Sequence, residues 1–160
     1  EVPFLRPKKL ATDDAKTNDV IEYVIKNLDT TYDIVIVLQP TSPLRTGRDI
    51  DQALELKEYK NAKSLVSVNK INHPIEWTFP LKKNLKLSDN NIRLNNNKRR
   101  QDCQEIYKLN GAIYIIDISF FLKTKSFFNS DTIAYIMKKE NSIDIDDKFD
   151  FFLAESLMKK

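Results

Sequence analysis

The chain has 160 residues, 41% of them hydrophobic, with 26 lysines and arginines against 23 aspartates and glutamates and a formal net charge of +3. This is the composition of one globular domain, and a charge so small excludes the strongly basic balance of a typical nucleic-acid binder. No apolar run approaches the roughly 20 residues needed to cross a membrane, and the single cysteine, Cys103, excludes a disulfide framework or a zinc cluster, so a reducing, cytoplasmic setting is the expectation.

In chain order, Val20, Ile21, Val24, Ile25 and Leu28 share one helical face, with Thr17 or Asn18 placed to cap it. Residues 34–38 (Ile-Val-Ile-Val-Leu) form an apolar, mostly β-branched run without polar interruption. That predicts a strand buried on both faces, as in parallel sheets covered by helices. Beyond the carboxyl ends of such strands lie the ligand sites of open parallel sheets. Here that position holds an amide (Gln39), two hydroxyls (Thr41, Ser42) and a guanidinium (Arg45), stiffened by Pro40 and Pro43. These groups suit a substrate rich in hydroxyls and anionic oxygens. The alternative is a plain strand-to-helix loop in which Thr46 or Ser42 caps the next helix.

Ile50, Ala53, Leu54 and Leu56 mark that next helix, and residues 64–68 a second strand. Strand, helix and strand in this order predict the right-handed crossover of a parallel sheet. Residues 70–102 are unusual: Pro74, Trp77 and Pro80 precede a polar run in which Lys82, Lys83, Lys86, Arg93, Lys98, Arg99 and Arg100 face one acid, Asp89. Loops this long without structure are uncommon inside a compact domain, so an excursion with its own strands is expected, against the alternative of a solvated loop. Residues 112–116 and 132–137 read as further strands. Phe149, Phe152, Leu153 and Leu157 predict the core side of a terminal helix.

Among candidate chemical residues, Asp144 and Asp146 alternate with Ile143 and Ile145. In a strand the isoleucines would enter the core while both carboxylates project to one side. Paired hard oxygens suit Mg²⁺, which takes one or two carboxylates with waters and substrate phosphates. Alternatively Asp146 or Asp147 caps the helix that follows. Asn110 and Tyr114 flank a strand start, and Asn110-Gly111 is also a good turn pair. Phe127-Phe128, two aromatics in a row, reads as core. His73, before Pro74, reads as a loop residue. Only two glycines occur, Gly47 and Gly111, so no glycine-rich phosphate cradle can be built from these residues.

The octet at 38–45 (Leu-Gln-Pro-Thr-Ser-Pro-Leu-Arg) closely resembles the signature loop of the acylneuraminate cytidylyltransferases, the enzymes that make CMP-sialic acids. Four more blocks resemble that family in the right order: residues 2–11 around Arg6-Pro7, Arg99-Arg100-Gln101-Asp102, Asn110 to Ile115, and Ile143 to Asp146. The resemblance covers nearly the whole chain. It implies a doubly wound, mostly parallel α/β nucleotidyltransferase fold, Rossmann-like, with residues 70–102 as an arm crossing to the second subunit of a homodimer. It implies CTP and a nine-carbon keto acid sugar as substrates, with no nucleic-acid or membrane partner.

By position, the resemblance implies sugar contacts from Gln39, Thr41, Ser42, Arg45, Arg100, Asn110 and Tyr114, and an aromatic pair, Phe127 and Phe128, beside the sugar's acyl group. It implies Mg²⁺ on Asp144 and Asp146, catalytic parts for Asp146 and Arg45, and the helix cap for Asp147. The family's Gly/Ser/Lys-rich phosphate turn would precede Glu1, so the expectation is an N-terminally truncated domain with little turnover alone. Within the class, pseudaminate, legionaminate or octulosonate could replace the sialic acid, the octulosonate enzymes matching the 39–45 loop less well. A non-catalytic basic module reading nucleic acid through Lys98-Arg99-Arg100 is the rival outside it. That rival lacks the interleaved aromatics that stacking on bases requires.

Overall fold

The computed structural model describes residues 3–87 and 99–159. A four-stranded sheet forms its centre, built from β1 (Ile34–Val37), β2 (Ser64–Lys70), β3 (Tyr107–Asp117) and β4 (Ile133–Ile136) in the spatial order β1-β3-β2-β4. The helices are α1 (Thr17–Asn27), α2 (Gly47–Tyr59), α3 (Ile118–Thr124) and α4 (Lys148–Met158). β4 runs parallel to β2, while β3 lies antiparallel to both β1 and β2. Three strands therefore share one direction, and the first two are crossover-linked as expected. What the local pattern does not reveal is that the reversed β3 is inserted between them.

The α/β class is clearest in how side chains sort. Ile34 and Ile36 of β1 join Ala53 of α2, Leu65, Ile113 and Ile115 in one core cluster. Val35 and Val37, one residue out of phase, join Ile21 of α1 and Phe121 of α3 in the other. That is the period of two of a strand covered on both faces. β1 is nonetheless only half-buried along its length, because it forms the edge of the described sheet.

Helix starts follow side-chain chemistry. α2 opens on a capping box in which Thr46 accepts from the Asp49 amide and Asp49 accepts from the Thr46 amide. α1 is capped by neither expected residue: its cap position is Lys16, and the Asn18 side chain instead donates to the Lys125 carbonyl at 2.8 Å.

One expectation fails. The apolar residues of α4 do not line the core: Phe149 and Phe152 are 73% and 61% exposed, and Ala154 is the buried contact. Periodicity identifies a helix, but burial requires a facing surface, and no described element packs extensively on α4. In the 70–102 excursion, the described residues form short 3-10 turns at Ile75–Trp77 and Arg100–Asp102 and one antiparallel bridge, Leu81 with Leu87. Residues 88–98 lie outside the described residues. No described helix is long and apolar enough to cross a membrane.

Candidate functional site

The loop that follows β1 is held at both ends. Arg45 donates through Nη1 to the carbonyls of Ala112 (2.7 Å) and Gln39 (3.2 Å), tying the loop to β3. Burial pulls the Arg45 guanidinium down from its ordinary value, opposed by the neighbouring Asp49 carboxylate. Guanidinium remains cationic under any such shift, and with five N–H donors it keeps spare capacity for an anion. Ser42 is buried with its hydroxyl unpartnered, whereas Thr41 is exposed and its carbonyl accepts from the Ile145 amide at 2.9 Å.

β3 contributes a bulge. Val66 of β2 faces Tyr114 and Val68 faces Leu109, so residues 110–113 of β3 are accommodated opposite Ser67 alone. Such insertions bend a strand and re-aim its side chains, and they gather near active sites. Here Ala112 and Ile113, neighbours in sequence, enter the same core cluster. Gly111 takes φ +73°, and a Cβ built on it would lie 2.7 Å from Gln39 Oε1 and 3.1 Å from Asp144 Oδ2. The Gln39 amide and the Asp144 carboxylate thus converge over a backbone that only glycine leaves open.

Asn110 sits beneath this point, 2% exposed. Its Oδ1 accepts from Ser67 Oγ (2.6 Å) and the Ala112 amide (3.2 Å), while its Nδ2 donates to Ser142 Oγ (3.0 Å) and meets Met137 Sδ (3.3 Å). All four hydrogen-bonding positions of the amide are taken. In this structure the Asn110 side chain faces inward and spends its hydrogen bonds on the bulge.

The stretch after β4 brings the carboxylates. Residues 143–146 belong to no strand, and the Ile145 amide donates to Thr41 of the 38–45 loop instead of to the sheet. Asp144 keeps a buried Oδ1 with no hydrogen-bond partner, and Asp146 is exposed. Asp147 caps α4, accepting from the amides of Phe149 (2.7 Å) and Asp150 (3.0 Å), which leaves the other two carboxylates outside the cap's own bonds. A buried carboxylate oxygen without a partner is costly, and this donor set fits a hard divalent cation such as Mg²⁺, which completes its shell with waters and substrate oxygens. Among the described residues no cluster of three or more His, Cys, Asp or Glu groups forms a closed metal cage.

Beside Gln39 opens a cavity of about 180 Å³ lined by Thr17, Asn18, Val37, Tyr114, Phe127 and Phe128. The Tyr114 and Phe127 rings meet edge to face, with centroids 5.6 Å apart. Burial raises the Tyr114 phenol above its ordinary value, and the Asp144 charge adds to it. The aromatic pair divides its labour: Phe127 is 6% exposed and belongs to the core, whereas Phe128 is 52% exposed.

Gln39, Arg45, Tyr114, Phe127, Phe128 and Asp144 therefore gather about one bulge. Arg100 lies in a 3-10 turn of the excursion, and its side chain is outside the described residues. Sequence reasoning missed Gly111 as the meeting point, Thr17 and Asn18 as cavity wall, and Ser67 and Ser142 below. One signal was available: an isolated glycine within a strand pattern marks a bulge or close backbone approach.

No family model matches the chain. Among curated proteins it is 37% identical over 158 residues to the N-acylneuraminate cytidylyltransferase of Escherichia coli, an alignment covering 98% of this chain and 37% of that protein. It is likewise 37% identical over 171 residues to the CMP-N,N'-diacetyllegionaminic acid synthase of Legionella pneumophila, covering 99% of this chain and 69% of that protein. The chain thus spans little more than a third of the first relative. Among solved structures, a 4-diphosphocytidyl-2C-methyl-D-erythritol synthase from Anaerococcus prevotii superposes with a TM-score of 0.58 at 10% identity, over 91% of this chain and 67% of that one, a likeness of fold alone. On the sequence identities, this chain belongs to the acylneuraminate cytidylyltransferase family.

Proposed function

We propose that the protein transfers CMP from CTP to the C2 hydroxyl of a sialic-acid-like nine-carbon keto acid sugar, releasing pyrophosphate. The observation that carries this reading is the convergence of Gln39 and Asp144 over Gly111, beside a half-aromatic cavity. In the reaction the C2 oxygen forms a bond to the α-phosphorus, the bond from that phosphorus to pyrophosphate breaks, and the hydroxyl proton leaves. Such transfers depend mainly on positioning and neutralisation of charge.

The residues divide that work. The Gln39 amide orients sugar hydroxyls, the free donors of Arg45 face an anionic group, and Tyr114, Phe127 and Phe128 receive the apolar substituent. Asp144 and Asp146 would hold Mg²⁺, which when bound supplies positive charge to the triphosphate and acidifies a coordinated hydroxyl. No phosphate cradle can be made from the two glycines present, so in this reading the 160 residues alone carry the sugar side of the site and bind CTP poorly. The excursion fits a homodimer arm: Ile75, Trp77, Leu81 and Leu85 are all between 48% and 78% exposed, apolar surface of the kind that interfaces bury.

The test is an aspartate series in the protein at its full genomic length. Asp144→Asn and Asp146→Asn keep shape while removing an anionic ligand, and each should lower kcat by at least about a hundredfold. Asp147→Asn should leave the rate nearly unchanged, because Asn caps a helix as well as Asp does. An essential Asp147 with dispensable Asp144 and Asp146 would remove the metal assignment.

A further inference from the structure

A bulge breaks a ladder, and its backbone groups need partners from elsewhere. Neither Ala112 nor Ile113 pairs with a residue of β2. Their amides are satisfied by side chains instead: Ala112 donates to Asn110 Oδ1 at 3.2 Å, and Ile113 donates to Ser67 Oγ at 2.7 Å. Ser67 in turn donates to Asn110 Oδ1, and Asn110 passes the connection to Ser142 Oγ, which donates to the Lys138 carbonyl at 2.7 Å. Ser67, Asn110 and Ser142 are each no more than 7% exposed.

This relay joins the two backbones that meet at the site. Asn110 immediately precedes Gly111, and Ser142 stands two residues before Asp144. One amide therefore fixes the height of the bulge and the approach of the carboxylate-bearing segment together. We propose that Ser67 and Ser142 are positioning residues for CMP transfer, acting through Asn110 to hold the Gly111 bulge against Gln39 and Asp144. The proposal rests on the functional reading above and adds to it two residues that touch no substrate. In a buried, saturated network the loss of one hydroxyl leaves a buried partner unpaired, and the geometry is expected to relax toward a regular ladder.

The experiment compares Ser67→Ala, Ser142→Ala and Ser142→Thr with the unaltered protein at full genomic length. It measures kcat, KM for CTP and backbone amide exchange. Each alanine variant should lose about tenfold in kcat, as supporting partners of functional ligands do, with KM for CTP within about twofold. Ser142→Thr, which restores the hydroxyl, should recover most of the rate. In Ser67→Ala the Ala112 and Ile113 amides should exchange faster while those of the β1–β3 pairing stay protected. Rates within about twofold of the unaltered protein for both alanine variants, or a Ser142→Thr as impaired as Ser142→Ala, would overturn the proposal. No CMP-sugar from the unaltered protein would remove the functional reading itself and this inference with it, a result distinct from an active protein indifferent to the serines.

Discussion

Gly111 is the residue on which the site turns. Its φ of +73° is available to other residues only at a cost of roughly 1–2 kcal/mol, and a methyl group there would stand 2.7 Å from Gln39 Oε1. Gly111→Ala should therefore lower stability by roughly 1–2 kcal/mol and also push Gln39 aside, raising KM for the sugar acid more than KM for CTP. Urea unfolding and steady-state kinetics check the two effects; an alanine variant with unchanged KM for the sugar would detach Gln39 from substrate binding. At this scale the sequence singled out Gln39, Arg45 and Asp144 by their chemistry, and the fold brings the three to one bulge. The inward hydrogen bonds of Asn110 were not legible, because a polar residue looks the same in sequence whether its hydrogen bonds face a ligand or the interior.

Among the elements, α2 is pinned by a carboxylate at each end. At its start Asp49 is 6% exposed, held by Thr46, by Asn141 at 3.1 Å and by the Tyr135 hydroxyl at 3.4 Å. Near its end Lys57 pairs with Asp117 of β3 at 2.5 Å, with Lys63 on the other carboxylate oxygen at 3.2 Å. Burial pushes both carboxyls up, but hydrogen bonds at Asp49, and the hydrogen bonds and charges of two lysines at Asp117, outweigh it and leave both below the ordinary aspartate value. A carboxyl depressed in the folded state contributes stability above its unfolded pKa of about 3.9, and loses it as pH falls through the lower folded value.

Asp49→Asn should thus cost about 1 kcal/mol at pH 7, the size of a lost carboxylate charge and its hydrogen bonds in the first turn of a helix, and the difference should narrow below about pH 4. Urea midpoints at pH 7 and pH 3 measure it; an equal loss at both would mean the Asp49 charge contributes nothing. Strand and helix periods marked all four strands and α1, α2 and α4, but not the short α3. They could not place β3 between β1 and β2, since pairing order is a long-range choice, nor show that residues 143–146 pair with a loop.

For the whole molecule, three segments remote in sequence build one site: the loop after β1, the bulge of β3 and the stretch after β4. Only the first and last announced themselves by composition. The bulge depends on Ser67 of another strand and so has no local signature beyond its glycine. Family membership rests on identity over nearly the whole chain, while the chain covers 37% of one relative and 69% of another. Those relatives are named for an N-acylneuraminate and an N,N'-diacetyllegionaminic acid, and in the proposed reading the cavity at Phe127 and Phe128 is where two such acids would be told apart. The most direct test incubates the protein at full genomic length with CTP, Mg²⁺ and a panel of sialic, legionaminic, pseudaminic and octulosonic acids, following pyrophosphate and CMP-sugar together. The account predicts equimolar pyrophosphate and CMP-sugar, with the highest kcat/KM on a nine-carbon acid of the sialic type; pyrophosphate without CMP-sugar, or no product from any acid in the panel, would contradict it.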